Sequence, residues 1–275
     1  MRIYNITDYE RGIENAPSVV GNKAAALFKN MAIANIPKFC VLDAPLLSAL
    51  LSVPENSAVK DQLLEIWACK TNLISLAPKI RRLFQALKIP PLWEEHLEEY
   101  LEKHNIAPPY AVRSSSILED TTQRSGAGAY DSFLNVEKDE LWAAIKDCLC
   151  SIFMPNALNL MDDDLHQDIF STMAVIIQEM IESEISGVIF TKHPVDPEKG
   201  MLIEYASHVG AITDGRSEVR SLTVKDNLIL GAKSNLKWLQ DLISTADTLR
   251  QENNNAELDI EWGMKDNEIY IFQLR

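Results

Sequence analysis

The pattern of apolar residues changes character at Ala107. Upstream, residues 44–104 carry helical spacing, broken at Pro54, Pro78 and Pro90–Pro91, and end in the amphipathic stretch WEEHLEEYLEKH. Downstream, short apolar runs dominate. Tyr110–Val112, Phe133–Val136 and the runs 173–181, 186–191, 201–206 and 221–224 predict strands, with helices over 138–153 and 235–252. The runs 173–181 and 186–191 are expected to pair through the connection IESEI. Ahead of all these lie a small-residue turn with a helical pattern over 17–35 and a short strand, Phe39–Leu42. A chain that is helical first and then mixes strands with helices points to the α+β class. Two lobes are expected, 1–180 and 181–275, with a late antiparallel sheet forming one wall of a cleft.

The C-terminal segment LDIEWGMKDNEIYIFQLR reads as a hairpin turning at Lys265-Asp266-Asn267. Asp259 and Glu261 alternate with Ile260 and Trp262, so the two carboxylates share a face. On the partner strand, Tyr270, Phe272 and Leu274 alternate with Ile271, Gln273 and Arg275. Glu261 and Gln273 can therefore meet on one face, and two oxygen-bearing side chains suit hard Mg²⁺. An ordinary hairpin with a solvated polar face has the same pattern.

Two other segments carry candidate phosphate chemistry. In VVGNKAAALFKN, a glycine and a lysine stand at a helix start, where backbone N–H groups and an ammonium can meet a phosphate. The Walker spacing is absent, and a surface turn would look similar. In YAVRSSSILEDTTQRSGAGAYDSFLNV, an arginine leaves a strand among hydroxyls and a small-residue loop follows. Gly126 and Gly128 permit close backbone approach there.

Composition narrows the partners. The 275 residues, 47% of them hydrophobic, suffice for a substantial core. The net charge of −14, from 26 basic and 40 acidic residues, excludes a general binder of nucleic acids or anionic membranes. A single nucleotide in a small basic cleft stays compatible with it. The four cysteines form no CxxC pair and read as reduced, mostly buried thiols of a cytoplasmic protein. The N-terminus MRIYNITDYERG lacks an apolar signal core, and no run is long enough to cross a bilayer.

Five blocks, in order and spacing, resemble the nucleotide-binding domain of the phosphoenolpyruvate synthase and pyruvate phosphate dikinase family. Rifamycin phosphotransferases and glucan water dikinases share that domain. The blocks are VGNKAAAL, NIPKFCVL, YAVRSSSILED with SGAGAYDSFLNV, MAVIIQEMIESEISGVIFTKHPVD, and LDIEWGMKDNEIYIFQLR. The resemblance runs from about residue 17 to the last residue. It implies an ATP-grasp fold with the nucleotide held in the cleft between two lobes, and ATP and Mg²⁺ as ligands.

The resemblance also implies roles. Lys23 matches a lysine on the ATP phosphates, and Arg113 an arginine on the phosphate being transferred. Ser125, Gly126, Ala127 and Gly128 match a flexible loop over the phosphates. Gln178, Glu179, Met180 and Ile181 match the segment against adenine, and Glu204 joins the nucleotide-binding set. Glu261 and Gln273 match the metal ligands, and Arg275 the arginine that touches the nucleotide. Lys23, Arg113 and Arg275 form the implied catalytic set.

Departures from the family pattern fall at Asn22, which separates glycine from lysine, at Gly126 and Ala129, and in the shortened segment EYASHVGAITDGR. The family's swivelling histidine domain and acceptor domain are not recognisable in this sequence. His96, His104, His166, His193 and His208 all lack the phosphohistidine context, and His193 and His208 alone stand near expected site segments. Three activities are compatible. One is an ATP-dependent phosphotransferase subunit serving a histidine on a separate carrier. Another is a self-sufficient kinase or ligase for a small metabolite, with an acceptor near Arg113, His193 or Arg216. The third is a nucleotide-binding module without catalysis.

Overall fold

A computed structural model describes residues 1–12, 16–69, 73–118, 130–154, 157, 169–207, 219–225, 228–230 and 237–275. Helices and antiparallel sheets are both present, the α+β class expected. The chain divides into two compact units, Met1–Ala25 with Lys38–Met180, and Ala26–Pro37 with Ile181–Arg275.

Among the described residues of the first unit, one sheet has five strands: β1 (Ile3–Tyr4), β2 (Phe39–Leu42), β3 (Tyr110–Ser116), β4 (Ser132–Val136) and β5 (Met173–Glu179). Their order is β1-β2-β5-β3-β4, antiparallel throughout. The helices are α1 (Ile6–Glu10), the start of α2 (Ala16–Asn30), α3 (Leu46–Leu51), α4 (Ser57–Cys69), α5 (Leu73–Ala86), α6 (Pro91–Lys103) and α7 (Leu141–Cys150). Cys40, Leu42, Tyr110, Val112, Val175 and Ile177 line one face of the sheet. They pack with Leu50, Phe84, Leu97, Ile145 and Phe153 into a single core. Cys40, Cys148 and Cys150 are buried free thiols, and burial pushes all three thiols up in pKa.

Pro78 does not break its helix, contrary to expectation; it lies inside α5. Its ring removes one N–H from the ladder, but buried Ile80 and Phe84 on the same helix hold the segment in the core. The strand expected over Tyr110–Val112 continues through Arg113 and three serines to Ser116. It lies between β5 and β4, and its backbone pairing overrides the weak strand preference of serine.

The described strands of the second unit form a six-stranded sheet, β11-β10-β6-β7-β8-β9. These are β6 (Ile185–Phe190), β7 (Met201–Ser207), β8 (Arg220–Lys225), β9 (Leu228–Leu230), β10 (Asp259–Lys265) and β11 (Glu268–Leu274). Helix α8 (Lys237–Glu252) covers one face. Its Trp238 stacks on Trp262 at 5.5 Å and meets Tyr205 edge-on at 5.4 Å. The β10–β11 turn has positive φ at Asp266 and Asn267, the geometry of a two-residue type I′ hairpin.

The expected pairing of 173–181 with 186–191 does not occur. β5 pairs with β2 and β3, while β6 pairs with β10 and β7. The IESEI connection lacks the glycine or asparagine a tight turn requires. The backbone at and within it bonds elsewhere: Met180 N–H donates to Pro109 O at 3.1 Å and Glu184 N–H to Met264 O at 2.8 Å.

Candidate functional site

In the first unit, strand alternation separates core from chemistry. Tyr110 and Val112 enter the core, so Ala111, Arg113 and Ser115 lie on the opposite face of β3. On β5, Val175 and Ile177 enter the core and Ala174, Ile176 and Gln178 lie opposite. The register pairs Arg113 with Ile176 and Ala111 with Gln178. Arg113 and Gln178 thus share one face on adjacent strands, 8% and 1% exposed. Gln178 Nε2 is buried without a hydrogen-bond partner, and such a donor calls for an explanation.

Helix α2 comes down on this same face. It is interrupted at Gly21, with φ 75° and ψ 166°. A Cβ on Gly21 would stand 2.0 Å from Ser115 O, so only glycine lets the two backbones approach. Ala24 N–H then donates to Ser115 Oγ at 3.0 Å. The helix restarts after Gly21, which puts Lys23 in a first turn, buried at 4% exposure. One N–H of that turn is spent on Ser115 and is not open to an anion. From the sequence alone, Ser115 is one hydroxyl among several. Its place on the same side of the strand as Arg113 was the available signal.

In the second unit, the pairing register forms a row. Gln273 faces Glu261 on β10, Glu261 faces Val188 on β6, and Val188 faces Glu204 on β7. Directly paired residues share a face. Ile260, Trp262, Ile189 and Ile203 occupy the other, buried face. Glu261 is half-buried and Glu204 exposed, whereas Gln273 is only 2% exposed. With its amide oxygen turned toward Arg275, Gln273 accepts from Nε and Nη2, each at 2.8 Å. Both donors meet the one amide oxygen, which fixes the amide and engages both of its lone pairs. Asp259 exchanges both backbone hydrogen bonds with Arg275 at 3.0 Å. Burial pushes the Asp259 carboxyl up, and the Arg275 charge partly opposes it.

Strict alternation on β11 fails at a bulge. Glu261 pairs with Gln273 but Trp262 pairs with Ile271, which leaves Phe272 extra. A Cβ on Gly263 would meet the Phe272 ring at 2.6 Å, so the glycine makes room for it. The bulge explains how Ile271 and Leu274 can both be buried while Gln273 stays beside Glu261.

In the segment 178–181, the N–H groups of Glu179 and Met180 are engaged by Lys38 O at 2.8 Å and Pro109 O at 3.1 Å. Neither is open to a base. Ser125, Gly126, Ala127, Gly128, Ala129, His166, His208 and Arg216 lie outside the described residues. His96 is exposed, and His104 caps α6, its ring tilted against Tyr100 at 4.4 Å. His193 closes a surface turn, its Nδ1 accepting from the N–H groups of Val195 at 3.3 Å and Asp196 at 3.2 Å. Among the described residues, no three His, Cys, Asp or Glu side chains converge on a metal position. No described helix is long and apolar enough to cross a membrane.

The sheet face with Arg113 and the kinked lysine helix lie within residues 17–228, which match the model of the pyruvate phosphate dikinase AMP/ATP-binding domain. The chain belongs to this family. A relative from Archaeoglobus fulgidus, named "probable phosphoenolpyruvate synthase", is 33% identical over 199 residues, 60% of this chain and 26% of that protein. A rifampicin phosphotransferase from Bacillus subtilis is 28% identical over 222 residues, 78% of this chain and 25% of that protein. The chain thus spans about a quarter of the length of either relative. Among solved structures, D-alanyl-alanine synthetase A from Vibrio cholerae is similar at TM-score 0.41 and 9% identity, over 93% of this chain and 55% of that one. Family membership supports the ATP-grasp reading of the fold.

Proposed function

We propose that this chain is the ATP-binding unit of a Mg²⁺-dependent phosphotransferase, and that it passes a phosphoryl group to a histidine on a separate carrier. The family match over 17–228 carries the reading, because it takes in Lys23, Arg113 and Gln178 together. Lys23 and Arg113 hold the phosphates and offset negative charge as it moves toward the leaving oxygen. Ser125, Gly126, Ala127 and Gly128 are assigned to the phosphates by the family resemblance alone. Gln178 offers a buried amide donor to the base, and Glu179, Met180 and Ile181 flank it.

Glu261 and Gln273 lie beyond the matched stretch, so their role rests on register and chemistry. Glu261 and, once Arg275 turns away from its amide oxygen, Gln273 would give a hard cation that keeps several waters two oxygen donors on paired strands. Mg²⁺ held by Glu261 and Gln273 would supply positive charge that offsets the phosphates. Arg275 orients Gln273 and reaches the nucleotide, and Glu204 stands two strands away in the same row. In the transfer, a phosphorus–oxygen bond to the departing nucleotide breaks. A phosphorus–nitrogen bond to the carrier imidazole forms, and the imidazole loses its ring proton.

The test uses ATP labelled at the γ or β phosphate, with Mg²⁺, and follows nucleotide products and protein-bound label. The expected result is ATP binding with negligible turnover alone, and turnover once a carrier with a reactive histidine is supplied. Arg113→Ala and Glu261→Ala should each abolish that turnover. ADP or AMP formed with a small metabolite and no carrier would replace the acceptor. Failure to bind ATP would leave no enzyme of this kind.

A further inference from the structure

A cavity of about 330 Å³ lies within the first unit, apart from the sheet face that carries Arg113. That is within the usual size range for small-molecule sites. Its floor is formed by Leu97 and Leu101 of α6, Ile106 just beyond that helix and Leu141 at the start of α7, all buried. Two aromatic side chains, Tyr110 and Trp142, stand in its wall. At its mouth Lys138 Nζ lies 3.1 Å from Glu98 and 3.7 Å from Glu102. All three charged side chains are more than half exposed, so these ion pairs are weak and exchangeable.

The balance of these groups selects the ligand. Two carboxylates against one ammonium leave the mouth with a net negative charge, in a protein that is itself at −14. Aromatic faces attract cations, most strongly when the cation is partly desolvated. The apolar floor admits a hydrocarbon or aryl body and offers nothing to a polar one. An anion would meet Lys138 but also both glutamates. A cation can take Glu102, whose contact with Lys138 is the longer one. We propose that this cavity is a second binding site, for a small apolar molecule with a cationic head group, an aryl- or alkylammonium.

The cavity wall also reaches a segment of the candidate nucleotide site. Pro108 and Tyr110 line the cavity, and Pro109 O accepts the Met180 N–H. Tyr110 pairs with Glu179. Occupancy should therefore be felt at Glu179 and Met180 without any contact with the ligand. The existence of the site does not depend on the nucleotide reading.

The probe is phenethylammonium, with phenylacetate as the anionic counterpart of similar size, titrated into the full chain by calorimetry and by amide NMR. The expected result is saturable binding of the cation below about 10 mM, a weak but measurable affinity, with shifts at the Glu179 and Met180 amides. Glu102→Gln with Glu98→Gln should weaken it at least about tenfold, the order of one lost charge contact. Lys138→Met should tighten it. Ala107→Phe, a change at an exposed lining position that leaves the core intact, should abolish it. Three results would overturn the proposal: no saturation by the cation, equal or tighter binding of phenylacetate, or binding unaffected by Ala107→Phe.

Discussion

Asp259 sets two demands against each other. Its carboxyl is partly desolvated at the end of β10, and the charge of Arg275 only partly compensates. Burial wins, so the folded-state pKa lies above the ordinary carboxylate value. The folded protein then holds its proton at a pH where the unfolded chain has released it. That contribution to stability is complete below the unfolded pKa of about 4 and is lost as pH rises through the folded value. Asp259→Asn removes the titration. The stability of the variant relative to the parent should rise as pH increases from about 4 toward neutrality. Denaturant unfolding at a series of pH values reads this. A constant difference across the series would mean that Asp259 keeps an ordinary pKa.

At the scale of elements, the contact of α2 with β3 is the most demanding feature of the first unit. Gly21 combines a left-handed φ with an approach of 2.0 Å between a would-be Cβ and Ser115 O. Gly21→Ala must therefore push the helix start off the strand, at a cost of about 3 kcal/mol, toward the upper end for single substitutions. Lys23 and the Ala24–Ser115 hydrogen bond move with it. ATP affinity should fall along with the unfolding midpoint, and a variant with an unchanged midpoint would show the approach to be looser. The glycine–lysine start was legible in the sequence, as were the strand Phe39–Leu42 and the turn at Asp266–Asn267, because each depends on local backbone chemistry. What was not legible depended on partners distant in sequence. Pro78 stays helical because the α5 face is buried. The β3 strand runs on through its serines because β4 and β5 bracket it. The bulge at Phe272 needs Gly263 on the neighbouring strand to receive the ring. The IESEI connection closes no hairpin because the N–H of Met180, just before it, finds Pro109 O, and that of Glu184, within it, finds Met264 O.

At the scale of the whole molecule, the net charge of −14 opposes the binding of an anionic nucleotide. Under the proposed function, affinity for ATP would come from local cations, Lys23, Arg113 and Arg275, and from a divalent ion that offsets the phosphates. Since the chain divides into two compact units, each can gain protection separately, and hydrogen exchange resolves them where a single melting curve does not. A ligand at about 100 times its Kd stabilises the state it binds by about 2.7 kcal/mol. Saturating MgATP should slow exchange in α2 and β3 and also in the β10–β11 hairpin. ATP with chelator should bind more weakly and leave the hairpin least changed. Glu261→Ala should make MgATP resemble ATP with chelator, at the hairpin and in affinity. If MgATP protected only α2 and β3, Glu261 and Gln273 would not be the metal ligands. The second unit's row of oxygen donors would then be an ordinary polar sheet face.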